Sequence, residues 1–178
     1  MNVAYSLFVE KGYQGTTMGE IASQLGVTKP ALYQYFPGKE NLYAAVADKS
    51  RQELNGLLER SYQGRNIREG NAALFESLAE FVPRFNSMYT EMMLLAAHNS
   101  ELMALLRQDR LEDIRVVERF ISLQQDEGLV SRNLDPRTLA IALHALVNGL
   151  LMNIMVGMEK EEAKKIWISA VEALIRVE

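Results

Sequence analysis

Apolar residues recur three and four positions apart along almost the whole chain, and only four prolines interrupt the pattern. That spacing lines one face of a helix, whereas a half-buried strand needs sustained alternation, which occurs nowhere in the sequence. The pattern predicts an all-α protein of about nine helices. With 178 residues, the chain can form one sizeable core or a small module joined to a larger one. A composition that is 48% hydrophobic and 24% charged belongs to a globular chain rather than a disordered one.

Local chemistry marks the helix ends. The first helix is expected over about Asn2–Lys11, with Ala4, Tyr5 and Phe8 inward and Gly12 as its left-handed terminator. Thr17 is placed to cap a short second helix, 18–24, with Glu20 in the capping-box position. Gly26 follows as a tight turn. Thr28 caps a third helix, where Pro30 is tolerated because the first-turn amide it lacks would have no partner inside the helix. After Pro37-Gly38 a long helix runs through Leu42, Val46, Leu54, Leu57 and Leu58 to about Tyr62, linking the two halves of the chain. Gln63-Gly64-Arg65-Asn66 is a polar break. Further helices are expected over 67–86, with Pro83 as a kink point, then 87–97 and 101–127. Asp135 caps the next helix, with Pro136 at its first position. The last helix gathers Ala163, Ile166, Trp167, Ala170, Val171 and Leu174 on one face. The organisation expected is a helix-turn-helix segment, 1–46, followed by a helical regulatory segment, 47–178.

Composition narrows the function. The chain has no cysteine, which removes disulfides, thiolate metal sites and cysteine nucleophiles together. The opening residues lack a basic start followed by an apolar core and cleavage site, so a reducing cytoplasm is the expected location. Residues 138–158 are long and apolar enough to span a bilayer, but His144, Asn148 and Asn153 interrupt them and a charged amphipathic helix follows directly. A helix apolar on all sides is expected between neighbours or subunits, not in a membrane. No nucleophile–base pair, glycine-rich phosphate loop or metal motif appears, so neither an enzyme, nor a cofactor, nor a metal site is expected. The formal net charge is −4, and the lysines at 11, 29, 39 and 49 are matched within the first 50 residues by Glu10, Glu20, Glu40 and Asp48. Any contact with nucleic acid must therefore be local rather than a product of bulk basicity.

Such a local site is visible. Two short helices are joined through Ser23-Gln24-Leu25-Gly26-Val27, with a small Ala22 where they cross, Gly26 in the turn and Val27 expected to plug the core between them. The third helix then ends in Leu32-Tyr33-Gln34-Tyr35-Phe36, and Lys39 opens the next. Leu32 and Phe36 suit packing; a phenol at 33 and an ammonium at 39 suit phosphate.

With Ala4, Leu7-Phe8, Gly12-Tyr13, Thr16-Thr17, Ile21-Ala22, Gly26-Val27-Thr28, Leu32-Tyr33, Tyr35-Phe36, Lys39-Glu40 and Leu42 in order and spacing, residues 3–46 closely resemble the tetracycline-repressor (TetR) family of bacterial regulators. The resemblance implies a dimeric, ligand-responsive repressor whose third helix enters the major groove of double-stranded operator DNA. It implies that Lys29, Pro30, Ala31 and Gln34 face base edges, that Tyr33, Tyr35 and Lys39 touch phosphates, and that Thr17 and Thr28 anchor helix starts whose amides meet the backbone. The chemistry is apt: lysine donates to guanine, glutamine pairs with adenine, and the methyl of Ala31 suits a thymine methyl. The sequence departs from the family in beginning within the first helix, without a preceding basic segment, and in carrying Gly19 where a polar or basic contact is common.

For the regulatory segment the resemblance implies a homodimer built from the last two long helices, with Ala142, Ala145 and Gly149 allowing close approach and Trp167, Ala170 and Leu174 completing the interface. It also implies a cavity for a small, largely apolar effector. Phe75, Phe81, Phe85, Met88, Met92, Met93, Met103, Met152 and Met155 supply pliable apolar material for its lining, and His144 with Asn148 supply a polar pair. The alternative is a helical ligand-binding or scaffold protein that no longer binds DNA.

Overall fold

The structure, a computed structural model, describes residues 2–176 apart from the side chains of 81–89. Among these residues the regular elements are eight helices: α1 (Asn2–Gly15), α2 (Met18–Gln24), α3 (Lys29–Tyr35), α4 (Lys39–Tyr62), α5 (Ile67–Ala96), α6 (Ser100–Asp126), α7 (Pro136–Met155) and α8 (Lys160–Ile175). The backbone leaves helical geometry at Gly12, with φ 74° and ψ 174°, a region open almost only to glycine. One more turn follows, so α1 is two helical segments joined at Gly12. The break expected near residue 86 is absent: α5 runs through it as one helix of 30 residues.

The chain groups into two compact units. The first comprises Met1–Gln52 with Arg84–Arg110, the second Glu53–Pro83 with Leu111–Glu178. Helices α4, α5 and α6 each contribute residues to both.

In the first unit, Leu7 and Phe8 of α1 meet Ile21 and Ala22 of α2, Leu32 of α3, Leu42, Tyr43 and Val46 of α4, Met92 and Ala96 of α5, and Leu102 and Leu106 of α6. Three aromatic rings sit at its centre. Phe8 stacks on Tyr13 at 5.7 Å between centroids, and Tyr43 meets both edge-on, at 6.4 Å from Phe8 and 6.0 Å from Tyr13. Such arrangements match ring edges to ring faces and add to what burial contributes.

In the second unit, α5 supplies Leu74, Phe75 and Leu78, α7 supplies Leu139, Ala140, Val147, Leu150 and Leu151, and α8 supplies Ala163, Trp167, Val171 and Ile175. The Phe75 and Trp167 rings lie 6.2 Å apart, and the indole Nε1 donates to the Asn71 carbonyl at 3.0 Å. Glu76 of α5 pairs with Lys160 and, at 2.6 Å, with Lys164 of α8. The two ammonium groups hold the Glu76 carboxyl below its ordinary value, and the same carboxylate raises Lys164. Trp167 departs from the sequence expectation. Only 3% exposed, it is a core residue of its own protomer and not part of a surface awaiting a partner, because Asn71 and Phe75 of α5 already cover it.

Helix α7 is long and apolar enough to cross a bilayer by length and composition alone. In the structure it packs against α8. Its inward face is Leu139, Ala140, Val147, Leu150 and Leu151, while Ile141, Ala145, Gly149, Met152 and Met155 form an exposed stripe.

Candidate nucleic-acid interface

The helix-turn-helix is built from short-range chemistry. Thr17 adopts extended backbone before α2, and its hydroxyl accepts from the Glu20 amide at 3.2 Å; Thr28 does the same before α3, accepting from the Ala31 amide at 3.3 Å. Each satisfies one of the orphan amides at a helix start, worth about 1 kcal/mol. The capping box is half-formed: the Glu20 carboxylate pairs with Lys11 instead of reaching back to residue 17. Gly26 turns the chain at φ 68°. The Val27 amide then donates to the Ala22 carbonyl at 3.0 Å, which directs its side chain outward, 45% exposed. Val27 is therefore not the plug the sequence suggested; Ile21, Ala22 and Leu32 fill that space.

Helix α3 is anchored by one side chain. Leu32 is 5% exposed, Ala31 is half-buried, and Lys29, Pro30, Tyr33, Gln34 and Tyr35 all stand in solvent. Tyr35 is 79% exposed, an unusual state for so large an aromatic side chain. The Lys29 ammonium lies 5.9 Å from the centroid of the Tyr33 ring. Across from it, a side chain at Gly19 would start 4.0 Å from Lys29 Cδ, an ordinary contact, so α2 leaves open space beside this lysine. Lys29, Tyr33, Gln34 and Tyr35 thus put an ammonium, two phenols and an amide on one short helix.

Lys39 has another task. Its ammonium donates to the carbonyls of Tyr13 at 2.8 Å and Thr16 at 3.0 Å and sits 4.3 Å from the centroid of the Tyr13 ring. Partial burial lowers its pKa, against the pull of Glu40 and Glu91. In the free protein the Lys39 ammonium is thus held internally, because the α1–α2 corner presents carbonyls that a helix-opening lysine reaches. Around the same corner, the Tyr13 hydroxyl donates to Glu40 at 2.9 Å, and burial together with that carboxylate pushes the phenol up. Thr16, fully buried, donates its hydroxyl towards the Leu7 and Gly12 carbonyls at 3.0 and 2.8 Å. The Glu91 carboxylate of α5 accepts from the amides of Tyr13 at 2.7 Å and Gln14 at 2.8 Å. No periodicity announces Glu91, which lies 78 residues from its partner.

The residues expected to line an effector cavity fall in both compact units. Phe75 is fully buried in the second unit's core, whereas Met92, also fully buried, and Met103 pack in the first. Both Phe75 and Met92 are close-packed core residues. Phe81, Phe85 and Met88, with Pro83, lie outside the described side chains. Met152 is 50% exposed on the outer stripe of α7, with Met155 at 53%. His144 and Asn148 do meet, but through each other: the Asn148 amide donates to the His144 carbonyl at 2.7 Å and lies 3.0 Å from its ring Nδ1. One polar residue of the second core went unnoticed in the sequence. Asn71 is 1% exposed, accepts from the Tyr62 hydroxyl at Oδ1, and has no partner for Nδ2 among the described residues. Such a buried donor costs about 1–3 kcal/mol unless a water or ligand atom accepts from it.

An all-α chain with a capped helix-turn-helix and an open, donor-bearing third helix defines a DNA-binding regulator. Residues 1–46 match the family model for bacterial regulatory proteins of the tetR family, and residues 67–176 match that of the C-terminal region of BetI-type transcriptional repressors. The chain belongs to the TetR family of transcriptional regulators. It is 27% identical to the HTH-type transcriptional regulator AcrR of Shigella flexneri over 93% of this chain and 80% of that protein. Among solved structures, a TetR-family regulator from Rhodococcus sp. is similar at a TM-score of 0.81 and 19% identity, covering 98% of this chain and 95% of the other. The SmeT–triclosan complex is similar at 0.69 and 24%, covering 98% and 89%. Regulators of this family bind operator DNA and small-molecule effectors and act as dimers.

Proposed function

We propose that this chain is a dimeric repressor that reads a two-fold symmetric operator through α3 and leaves it on binding a small, largely apolar molecule. The observation that carries this reading is the exposure of α3: one apolar anchor, Leu32, and a solvent-facing row of Lys29, Pro30, Tyr33, Gln34 and Tyr35. Lys29, Pro30, Ala31 and Gln34 face base edges. Tyr33 and Tyr35 meet phosphates, and Thr17 and Thr28 hold helix starts whose amides do the same. Residues 1–46 form the DNA-reading segment and 47–178 the regulatory one, a division supported by the separate family matches to 1–46 and 67–176.

The second copy of the chain is met through α7. The stripe of Ile141, Ala145, Gly149, Met152 and Met155, with half-buried Ala142 beside it and half-buried Ala170 and Leu174 on α8, leaves apolar area in water that an identical face covers. Nothing lies within 4 Å of where a Gly149 side chain would begin, so a partner helix can approach closely there. For the effector, a triclosan complex of a structurally similar regulator supports an apolar, aromatic body, and the free Asn71 donor suits one acceptor atom on it.

The test is a titration of purified protein onto a duplex enriched by selection, at several salt concentrations, with Tyr33→Ala alongside and with triclosan and other apolar aromatic compounds added. Binding that weakens with salt and with the substitution, and is released by an apolar compound but not by a charged one, is expected. A protein that binds the compounds but no duplex even at low salt would instead be the ligand-binding protein without DNA function.

A further inference from the structure

Two opposite charges close on the corner between α1 and α2. From α5, the Glu91 carboxylate takes the amides of Tyr13 and Gln14 on its two oxygens, at 2.7 and 2.8 Å. From the first residue of α4, the Lys39 ammonium takes the carbonyls of Tyr13 and Thr16, at 2.8 and 3.0 Å. The peptide groups of one corner are thus held by an anion and by a cation that feels it. Gly12 makes room for this: a Cβ there would lie 2.3 Å from Glu91 Oε2. Only Phe36-Pro37-Gly38 separates Lys39 from α3, and the corner leads directly into Thr17, the cap of α2. Both helices of the DNA-reading motif are therefore tied, one at its start and the other just beyond its end, to a corner that α5 grips.

We propose that Glu91 is a positioning residue for DNA reading: its carboxylate, on the Tyr13 and Gln14 amides, sets the orientation in which α2 and α3 are presented to the operator. The inference rests on α3 being the DNA-reading element but makes a claim that is checked without DNA. Charge-assisted bonds from two adjacent amides to one carboxylate are short and directional, so they fix a geometry as well as contributing energy. Glutamine at 91 keeps the shape yet offers one acceptor and turns an NH2 group towards the other amide.

The test uses the full chain and two variants, Glu91→Gln and Gly12→Ala, the second displacing the carboxylate from the opposite side. Backbone amide resonances are assigned in each free protein, and affinity is measured for the selected duplex and for a random-sequence duplex. In both variants the Tyr13 and Gln14 amide protons should move upfield and the resonances of Thr28–Tyr35 should shift with them. The thermal midpoint should fall in both, more in Gly12→Ala because the backbone there is open almost only to glycine, and affinity for the selected duplex should fall about tenfold, the equivalent of one charge-assisted hydrogen bond, with random duplex bound as before. If the resonances of α3 stay in place when those of Tyr13 and Gln14 move, Glu91 does not position the motif, whether or not a duplex is ever found. Selective binding that is unchanged or tightened in Glu91→Gln overturns the proposal equally, while a failure of wild-type protein to select any duplex would strike only the DNA-reading premise.

Discussion

Helices α3 and α7 both leave a face in water, and the chemistry of the two faces differs in kind. On α3 the uncovered side chains are an ammonium, an amide and two phenols around a single buried leucine; on α7, past the exposed Arg137 and Thr138 of its first turn, they are Ile141, Ala145, Gly149, Met152 and Met155, with Asn153 beside them. A face of donors remains hydrated until it meets a partner that replaces water with phosphate oxygens and base edges. An uncharged apolar stripe has nothing to give such a partner and gains only from exclusion of water. The same degree of exposure therefore points to different occupants: DNA for the first helix, a second copy of the chain for the second.

The comparison breaks most readily at α7. Gly149→Arg would place an unpaired charge in the stripe of each copy, at a cost of about 3–5 kcal/mol if that stripe is buried between protomers. Sedimentation should show monomers, with the protomer's thermal stability intact because the site is open within one chain; an unchanged dimer would move the interface elsewhere. At α3 the expected effect is smaller and of another type. Gln34→Ala should lose about 1–3 kcal/mol of discrimination for each half-site without altering the dimer, read as relaxed preference at one base position. Lys29→Ala should relax preference at the base it faces, whereas Lys39→Ala should leave base preference and salt dependence alone and lower the thermal midpoint. A salt slope that falls in Lys39→Ala would contradict the internal role given to Lys39.

The smallest effect lies at the ion pairs between α5 and α8. Because Glu76 titrates below its ordinary 4.5 in the folded chain, the stability it contributes is complete above that value and is lost as the pH falls through the lowered one. Glu76→Gln should flatten the acid side of the stability curve and leave it parallel to wild type at neutral pH and above. Denaturant midpoints measured across that acid range decide the point.

What could be read in the sequence was whatever depends on residues a few positions apart. Thr17 and Thr28 cap because a hydroxyl reaches the amide three residues on, and Asp135 does so at α7, accepting from Thr138 at 3.1 Å. Gly12 and Gly26 break the helical path where a positive φ is needed. The all-helical class and the motif followed from the same local information. Partners far along the chain were not legible. Trp167 looked uncovered because its cover, Asn71 and Phe75, lies on α5. Lys39 looked free for phosphate because the carbonyls it takes precede it by 26 and 23 residues. Residues 84–110 join the first compact unit although a division along the chain assigns them to the regulatory segment. The effector residues were the least legible, since methionine and phenylalanine at helical spacing serve a packed core as well as a cavity, and Phe75 and Met92 serve the core.

The most direct test of the central claim is selection of random duplex DNA by the purified full-length protein. The account predicts an enriched sequence with two-fold symmetry, its half-sites centred about one helical turn or a multiple apart, and its recovery weakened by Tyr33→Ala. Enrichment of no sequence at low salt, or of one without symmetry that Tyr33→Ala leaves untouched, would contradict it.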